Sequence, residues 1–261
     1  MVSPASATDS TRRAPWTHPT GRVRLFDAAR GFSVVSMVLF HACYDAAFIY
    51  GLPLPFFSGA LVAVWRATIA WTFLAVSGWM CSFSRNNLAR AGRYLAVAAL
   101  IFVATTLAAV DDPISFGIVF CIGAATLVDA LLERIHREPQ GVILAAALVA
   151  VFLLCLNVPR SSLGGPFFSL AIPEACYSTP WFAWLGFPGP GFVSGDYYPL
   201  VPFALMYGAG IAIGRWFKRV GYPGWMLRAH CRPLEWVGRH ALPVYVVHQP
   251  ALIALFGLLG V

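Results

Sequence analysis

The stretch that decides the fold is RLFDAARGFSVVSMVLFHACYD, which covers residues 24–45. It is apolar enough for a membrane-spanning helix, yet it carries ionisable side chains at steps of three and four residues. In an α-helix this spacing places them on one face. Ionisable groups inside a spanning helix are costly unless they face partners or water, so this face predicts a functional surface inside a membrane protein. Its residues are Asp27, Arg30, Val34, Met37, His41 and Asp45.

The whole chain has the composition of a polytopic membrane protein. Of its 261 residues, 59% are hydrophobic and 11% are charged, and the mean hydropathy is +0.72. Soluble domains are about 25% charged. Apolar segments long enough to cross a bilayer, without the alternation of a β-barrel, predict an all-α transmembrane bundle of about seven spans. These spans lie near 31–50, 58–82, 94–110, 114–132, 141–158, 199–217 and 241–260.

The basic residues predict the orientation of this bundle. Sixteen of the 18 Lys and Arg residues lie in the N-terminal segment and in the loops at 83–93, 133–140 and 215–240. These segments alternate along the chain, so they fall on one side of the membrane. Positively charged loops stay in the cytoplasm, and we therefore expect a cytoplasmic N-terminus and an outer C-terminus.

The distribution of charge disfavours a nucleic-acid partner, and the spacing of the cysteines disfavours a metal site. The net charge of +7 is spread over the predicted inner loops, so topology and anionic lipid account for it better than a DNA-binding surface does. The six cysteines form no Cys-x-x-Cys pair and mostly lie in predicted spans, which implies no metal site. A disulfide between Cys155 and Cys176 on the outer side stays open.

One transmembrane domain, residues 22–261, is expected to follow a disordered cytoplasmic tail at 1–21, which is polar and rich in Ser, Thr, Pro and Arg. No internal repeat is visible, which disfavours the two related halves of many secondary transporters. The outer connection at 159–198 combines aromatic residues with dense prolines. Prolines prevent an uninterrupted spanning helix and aromatic rings suit the headgroup level, so we predict a lid or re-entrant segment there.

His41 is the first candidate for chemistry. An imidazole titrates near neutral pH and can accept and return a proton without leaving its place. Asp45 lies one helical turn away and is suited to fix the tautomer of the ring and stabilise its charged form. The alternative is a histidine that only bonds to a neighbouring helix.

The last span supplies a second polar group. Tyr245, His248 and Gln249 share one helix face, and His248 lies at a depth close to that of His41. Hydrogen bonding between helices would also explain them. Arg66 lies inside the second span, where it either binds an anionic substrate or a developing oxyanion, or forms a buried ion pair with Asp45.

Four segments, spread over nearly the whole chain, form a pattern in their order and spacing. They are RLFDAARG and FHACYD at 24–31 and 40–45, VSG at 76–78, SGDYYPLVP at 194–202 and VGRHALPVYVVHQP at 237–250. This pattern resembles the bacterial relatives of heparan-alpha-glucosaminide N-acetyltransferase. The resemblance implies transfer of an acetyl or other acyl group from cytosolic acyl-CoA to an acceptor across the membrane, with a histidine central to the chemistry.

This chain departs from the pattern of that family at two positions. In the lysosomal enzyme of this family the active histidine lies between the first two spans, but this chain has no histidine between His41 and His136. We therefore assign that role to His41. Bacterial members often have a histidine in the fourth span, where this chain has Phe120.

Three more residues are candidates for substrate binding. Asp27 and Arg30 stand at the predicted cytoplasmic mouth, where they either pair with each other or contact the ligand. Asp196 directly precedes span six, and it either caps that helix or faces the substrate. The phosphates of acyl-CoA would meet a basic rim made of Arg24, Arg30, Arg85, Arg90 and Arg93.

Our first hypothesis is a membrane-embedded acyltransferase of a bacterial cytoplasmic membrane. It would use acetyl-CoA or another acyl-CoA as co-substrate, no metal, and a sugar-like or polyol acceptor with an amine or hydroxyl. His41 would act as general base, Asp45 would orient it, and Arg66 or His248 would stabilise the thioester oxyanion. A covalent acyl-histidine fits equally well. The alternatives are a proton-coupled transporter and a non-catalytic subunit that binds lipid or other proteins, and self-assembly is left open.

Overall fold

The computed structural model describes residues 16–17, 23–108, 112–165, 168–228 and 230–259. Its helices are α1 (Arg24–Tyr44), α2 (Gly59–Trp79), α3 (Asn87–Leu107), α4 (Ile118–Arg134), α5 (Val142–Leu154), α6 (Leu200–Val220), α7 (Gly224–Leu227), α8 (Arg232–Arg239) and α9 (Ala241–Leu259). Its short strands are β1 (Trp16–Thr17), β2 (Ser162–Gly165), β3 (Phe168–Ala171) and β4 (Tyr222–Pro223).

The prediction of an all-α polytopic protein is confirmed. In the described part of the chain, six helical segments are long and apolar enough to cross a membrane. The remaining predicted span, 114–132, forms α4, which at 17 residues is shorter than each of these six segments. The six segments are Arg24–Ile49, Gly59–Phe83, Asn87–Leu107, Val142–Arg160, Leu200–Val220 and Ala241–Leu259.

The core of the bundle lies between α2, α4 and α6. Leu74, Ile122 and Tyr207 are buried at this contact, one from each helix. The Tyr207 hydroxyl lies 2.6 Å from Thr126 Oγ1 and 2.8 Å from Cys81 Sγ. This buried hydroxyl is therefore satisfied, as polar groups within an apolar bundle must be.

A close crossing of α1 and α8 positions the last helix. A side chain at Gly31 would collide with the Leu234 carbonyl, and one at Gly238 would collide with the Asp27 carbonyl. Small residues at both positions let the two backbones touch, which is the usual way for membrane helices to pack closely. Because α9 begins at Ala241, directly after α8, this crossing directs α9 along α1.

The predicted lid segment contains a short hairpin and no spanning helix in its described part. Strands β2 and β3 pair antiparallel, and 3₁₀ turns follow at Glu174–Tyr177 and Pro180–Phe182. Its last residues return to the bundle: the Ser194 hydroxyl accepts from the Ser115 N–H at 3.1 Å, and the Tyr198 N–H donates to the Phe116 carbonyl at 2.8 Å. The segment thus brings residues 194–198 over the start of α4.

Most of the predicted tail, residues 1–21, lies outside the described residues. The described part, Trp16–Thr17, forms β1 and pairs antiparallel with β4 at Tyr222–Pro223. The tail therefore has an ordered contact with the connection after α6, which its polar composition did not predict. All six cysteine thiols, including those of Cys155 and Cys176, are free.

Candidate functional site

Helices α1 and α9 bring the two predicted intramembrane histidines together. The ring centroids of His41 and His248 lie 4.9 Å apart, with an angle of 62° between the ring planes. One turn beyond His41, α1 widens into a π-helical turn at Asp45–Ile49. Such turns are rare and occur often at functional sites. We call His41, Asp45, His248 and Gln249 the histidine site.

Asp45 is held by Gln249, whereas the sequence predicted that it would orient His41. Its side chain is fully buried, and both carboxylate oxygens accept from Gln249 Nε2 at 2.9 Å. Its charge acts on the ring of His248. The carboxylate turns to α9 because an amide donor there meets both of its oxygens, and the spacing of residues within α1 alone could not reveal that donor.

Two atoms of the histidine site are buried without a hydrogen-bond partner among the described residues. The Nδ1 atom of His248 lies 2.6 Å from the Tyr245 carbonyl oxygen. The unpartnered atoms are the other ring nitrogen, His248 Nε2, and the amide oxygen, Gln249 Oε1. Buried polar atoms are rarely left unpaired, and a ligand or water is the usual explanation.

Tyr245 joins the histidine site to Asp196. The Tyr245 hydroxyl donates to Asp196 Oδ2 at 3.1 Å, and its ring centroid lies 5.6 Å from that of His248. The same Oδ2 accepts from the Ile118 N–H at 3.0 Å, so Asp196 caps α4 and not α6. Burial raises the pKa of the Asp196 carboxyl, while the two hydrogen bonds and the charge of Arg66 oppose that rise.

Arg66 lies on the Asp196 side of the site. Its charge acts on Asp196 and Tyr198. The alternative of an Arg66–Asp45 ion pair is therefore wrong, because Asp45 faces the amide of Gln249 on α9. The Arg66 residue itself is exposed on α2.

Asp27 and Arg30 lie at the α1–α8 crossing and not at the histidine site. Asp27 is buried, and Arg30 Nη1 donates to the Gly238 carbonyl at 3.1 Å. With a rise of about 1.5 Å per residue, Arg30 is roughly 16 Å below His41 along the helix. The structure thus places these two predicted binding residues in a helix contact.

A second polar cluster was not predicted. Arg215 on α6 forms a two-pronged ion pair with Asp129 on α4, at 2.7 and 2.9 Å. Arg215 Nη2 also lies 2.6 Å from Glu133 Oε1, which accepts from Asn87 Nδ2 at 2.9 Å. We call Asn87, Asp129, Glu133 and Arg215 the arginine cluster. The signal for it was the pair of carboxylates one turn apart at the end of an apolar helix.

An open cavity of about 690 Å³ lies beside the arginine cluster, on the predicted cytoplasmic side. Its lining includes none of the arginines of the predicted basic rim. Arg90, one of those arginines, turns into the bundle, where Nη2 donates to the Ser77 carbonyl at 3.1 Å and the guanidinium lies over the Tyr94 ring. The cavity is lined by Cys81, Ser82, Ser84, Glu133, His136, Glu138, Gln140, Arg215, Lys218 and Arg219.

Comparison with known proteins identifies the family. The model of the family described as "Heparan-alpha-glucosaminide N-acetyltransferase, catalytic" matches residues 22–250, which include the histidine site, Asp196 and the arginine cluster. No curated protein and no solved structure gives a significant match to the chain. The resemblance seen in the sequence is confirmed, and the chain belongs to the heparan-alpha-glucosaminide N-acetyltransferase catalytic family, a family of membrane acetyltransferases.

Proposed function

We propose that the protein transfers an acetyl or other acyl group from cytosolic acyl-CoA to an amine or hydroxyl acceptor on the outer side. The observation that carries this proposal is the contact of His41 with His248 in a buried polar site between α1 and α9. A proton-transfer group is what acyl transfer to an amine or hydroxyl needs. Membership of the acetyltransferase family supports the same reaction class.

The cavity beside the arginine cluster suits the donor substrate. Its volume of about 690 Å³ is in the range of small-molecule sites, and Lys218 and Arg219 on its wall can bind phosphate. The positive-inside distribution predicts that this end of the bundle faces the cytoplasm, where acyl-CoA occurs. The phosphate end of acyl-CoA would bind here, with its thioester directed into the bundle.

The histidine pair would carry out the transfer. One imidazole takes the proton from the acceptor N–H or O–H while the acceptor atom bonds to the thioester carbonyl carbon. The carbon–sulfur bond then breaks, and the imidazolium returns its proton to the CoA thiolate. Base catalysis of this kind contributes about 10²- to 10⁴-fold to a rate. Arg66, whose charge acts on Asp196, would stabilise negative charge on the carbonyl oxygen.

The test is transfer of radiolabel from acetyl-CoA to glucosamine by the purified full-length protein in detergent. We expect labelled N-acetylglucosamine, and His41→Ala should lower the rate by roughly 100-fold or more. His240→Ala is the matched control, because His240 is exposed at the end of α8. A native rate in His41→Ala would refute the role of that residue.

Sidedness is tested in sealed vesicles of known orientation. The proposal expects product when acetyl-CoA is supplied on the side of the 215–240 loop and glucosamine on the opposite side. Uptake of unmodified glucosamine driven by a pH gradient, without acetylation, would instead favour the proton-coupled transporter.

A further inference from the structure

The tautomer of His248 is determined by its own helix. Nδ1 lies 2.6 Å from the Tyr245 carbonyl oxygen, which can only accept a hydrogen bond. Nδ1 therefore carries the proton, and in the neutral ring Nε2 is left with a lone pair. That atom is buried and has no partner among the described residues.

The amide of Gln249 is oriented by Asp45 in the same way. Its Nε2 donates to both oxygens of the carboxylate, at 2.9 Å each, so the NH₂ group points at Asp45 and the oxygen points away. This oxygen, Oε1, is the second buried atom without a partner in the described part of the chain. Adjacent residues of α9 thus present two acceptors and no free donor.

We propose that His248 Nε2 and Gln249 Oε1 form the acceptor subsite, which binds a primary amine or a hydroxyl through its hydrogens, and that His248 is the general base. A neutral N–H or O–H donor matches both atoms, since each is a buried acceptor without a partner among the described residues. His41 forms the other wall, with its ring 4.9 Å from that of His248. This inference rests on the proposed acyl transfer and changes the predicted base from His41 to His248.

The step balances without a further reactant. The acceptor gives its proton to His248 Nε2, its nitrogen or oxygen forms the bond to the acyl carbon, and the carbon–sulfur bond of the thioester breaks. The proton then passes from the imidazolium to the CoA thiolate, which leaves as the thiol. His248 ends in the tautomer in which it started, because Nδ1 stays bonded to the Tyr245 carbonyl.

The direct test is ¹⁵N NMR of the full-length protein labelled at the histidine ring nitrogens, with His248→Gln used to assign the resonances of His248. We expect a protonated Nδ1 and an unprotonated Nε2, and a change in the Nε2 resonance on titration with glucosamine. His240 is the internal control, because its Nδ1 also lies near a carbonyl, that of Trp236, at 2.9 Å, but on an exposed surface.

Kinetics separate binding from proton transfer. A glutamine at position 248 keeps a hydrogen-bond acceptor but no base, so His248→Gln should lower kcat by about 100-fold and change the glucosamine KM by less than about threefold. His240→Gln should change neither constant. Gln249→Leu should raise the glucosamine KM by roughly tenfold through the lost hydrogen bond.

The outcomes distinguish the two proposals. A protonated Nε2, or label transfer to glucosamine without any change in the Nε2 resonance, overturns the acceptor subsite and leaves the acyltransferase in place. A changed resonance with glucosamine but no label transfer supports the subsite and contradicts the acyltransferase. The NMR measurement uses the wild-type chain, so it decides the question even if Gln249→Leu fails to fold.

Discussion

The histidine site and the Arg215 guanidinium of the arginine cluster are both polar groups inside an apolar helical bundle, but they differ in how completely they are paired. In the arginine cluster, the Arg215 guanidinium is matched by Asp129 and Glu133, with a further contact to the Pro139 carbonyl. In the histidine site, two buried acceptors have no partner in the described part of the chain. Asn87 Oδ1, at the edge of the arginine cluster, is also buried without a partner there. The contrast in pairing is therefore between the Arg215 guanidinium, which holds α4 to α6, and the histidine site, where two adjacent acceptors are left to bind something else.

The difference follows from chemistry. A buried arginine brings five donors, and only nearby carboxylates and carbonyls can compensate for the water that it loses. An imidazole or amide is neutral, so one unpaired atom is a smaller penalty that the fold can carry. A site that must bind and release a substrate needs such atoms, and the arginine cluster leaves none on its guanidinium between α4 and α6.

The largest effect should come from breaking the arginine cluster. Asp129→Ala leaves the Arg215 charge buried without its two-pronged partner, so the free energy of unfolding should fall by about 3–5 kcal/mol. Thermal or denaturant unfolding in detergent measures this loss.

The control is the double variant Asp129→Leu with Arg215→Met, which removes both charges and should recover much of the stability. A single Asp129→Ala variant within about 1 kcal/mol of the wild type would show that the cluster does not hold α4 to α6.

The histidine site should respond in the opposite way. His248→Leu removes the unpartnered Nε2 and one hydrogen bond, from Nδ1 to the Tyr245 carbonyl, so the free energy of unfolding should fall by at most about 1.5 kcal/mol. The rate of acyl transfer should fall by about 100-fold or more. Unfolding and label transfer are measured on the same preparation, with His240→Leu as control. A large loss of stability would mean that His248 is a structural residue like Arg215.

The sequence predicted the contact between His41 and His248, but it did not predict the partners of Asp45 and Arg215. The helical stripe on α1 and the depth of His248 in the last span were enough to place His41 and His248 at one level, and the structure brings them together. The stripe on α1 follows from the periodicity of a single helix. The level of His248 follows from its depth in the membrane. Neither prediction requires knowledge of which helices are neighbours.

The partners of Asp45 and Arg215 depend on neighbours. Gln249 is separated from Asp45 by 204 residues, and Asp129 from Arg215 by 86. Which of them meet is set by helix rotation and by close crossings such as that of Gly31 and Gly238. Of the two alternatives for Asp196, capping of α6 is wrong, because the returning outer segment carries its carboxylate to the first turn of α4.

Asp196 gives an intermediate case, a carboxylate whose hydrogen-bond partners are neutral donors. Its pKa is raised by burial, so the folded state favours the protonated form. The stabilisation from this group is complete below its unfolded pKa of about 3.9 and is lost as the pH rises through the raised folded value. Stability should therefore fall as the pH rises from about 4 to the raised folded value, with a slope of at most about 1.4 kcal/mol per pH unit.

The matched variant is Asp196→Asn, which keeps an oxygen for the Ile118 N–H and the Tyr245 hydroxyl but does not ionise. We expect its melting temperature to vary less with pH over this range than that of the wild type. An identical pH dependence in both proteins would show that Asp196 stays ionised in the fold.

The smallest effect, a change in the KM for acetyl-CoA, is expected from the cavity beside the arginine cluster. Exchange of Lys218 and Arg219 for Gln removes two charges from its wall without touching the Arg215–Asp129 pair. Partly solvated charge pairs contribute roughly 0.2–1 kcal/mol each, so loss of both should raise the acetyl-CoA KM about two- to thirtyfold, with kcat nearly unchanged and a weaker dependence on salt. Arg85→Gln is the control, since Arg85 is exposed on the same side of the bundle but does not line the cavity. If Arg85→Gln raises the acetyl-CoA KM as much as the exchange of Lys218 and Arg219, general surface charge attracts acetyl-CoA and the cavity is not its binding site. The histidine site would then be the one unpaired region to which a binding role is assigned.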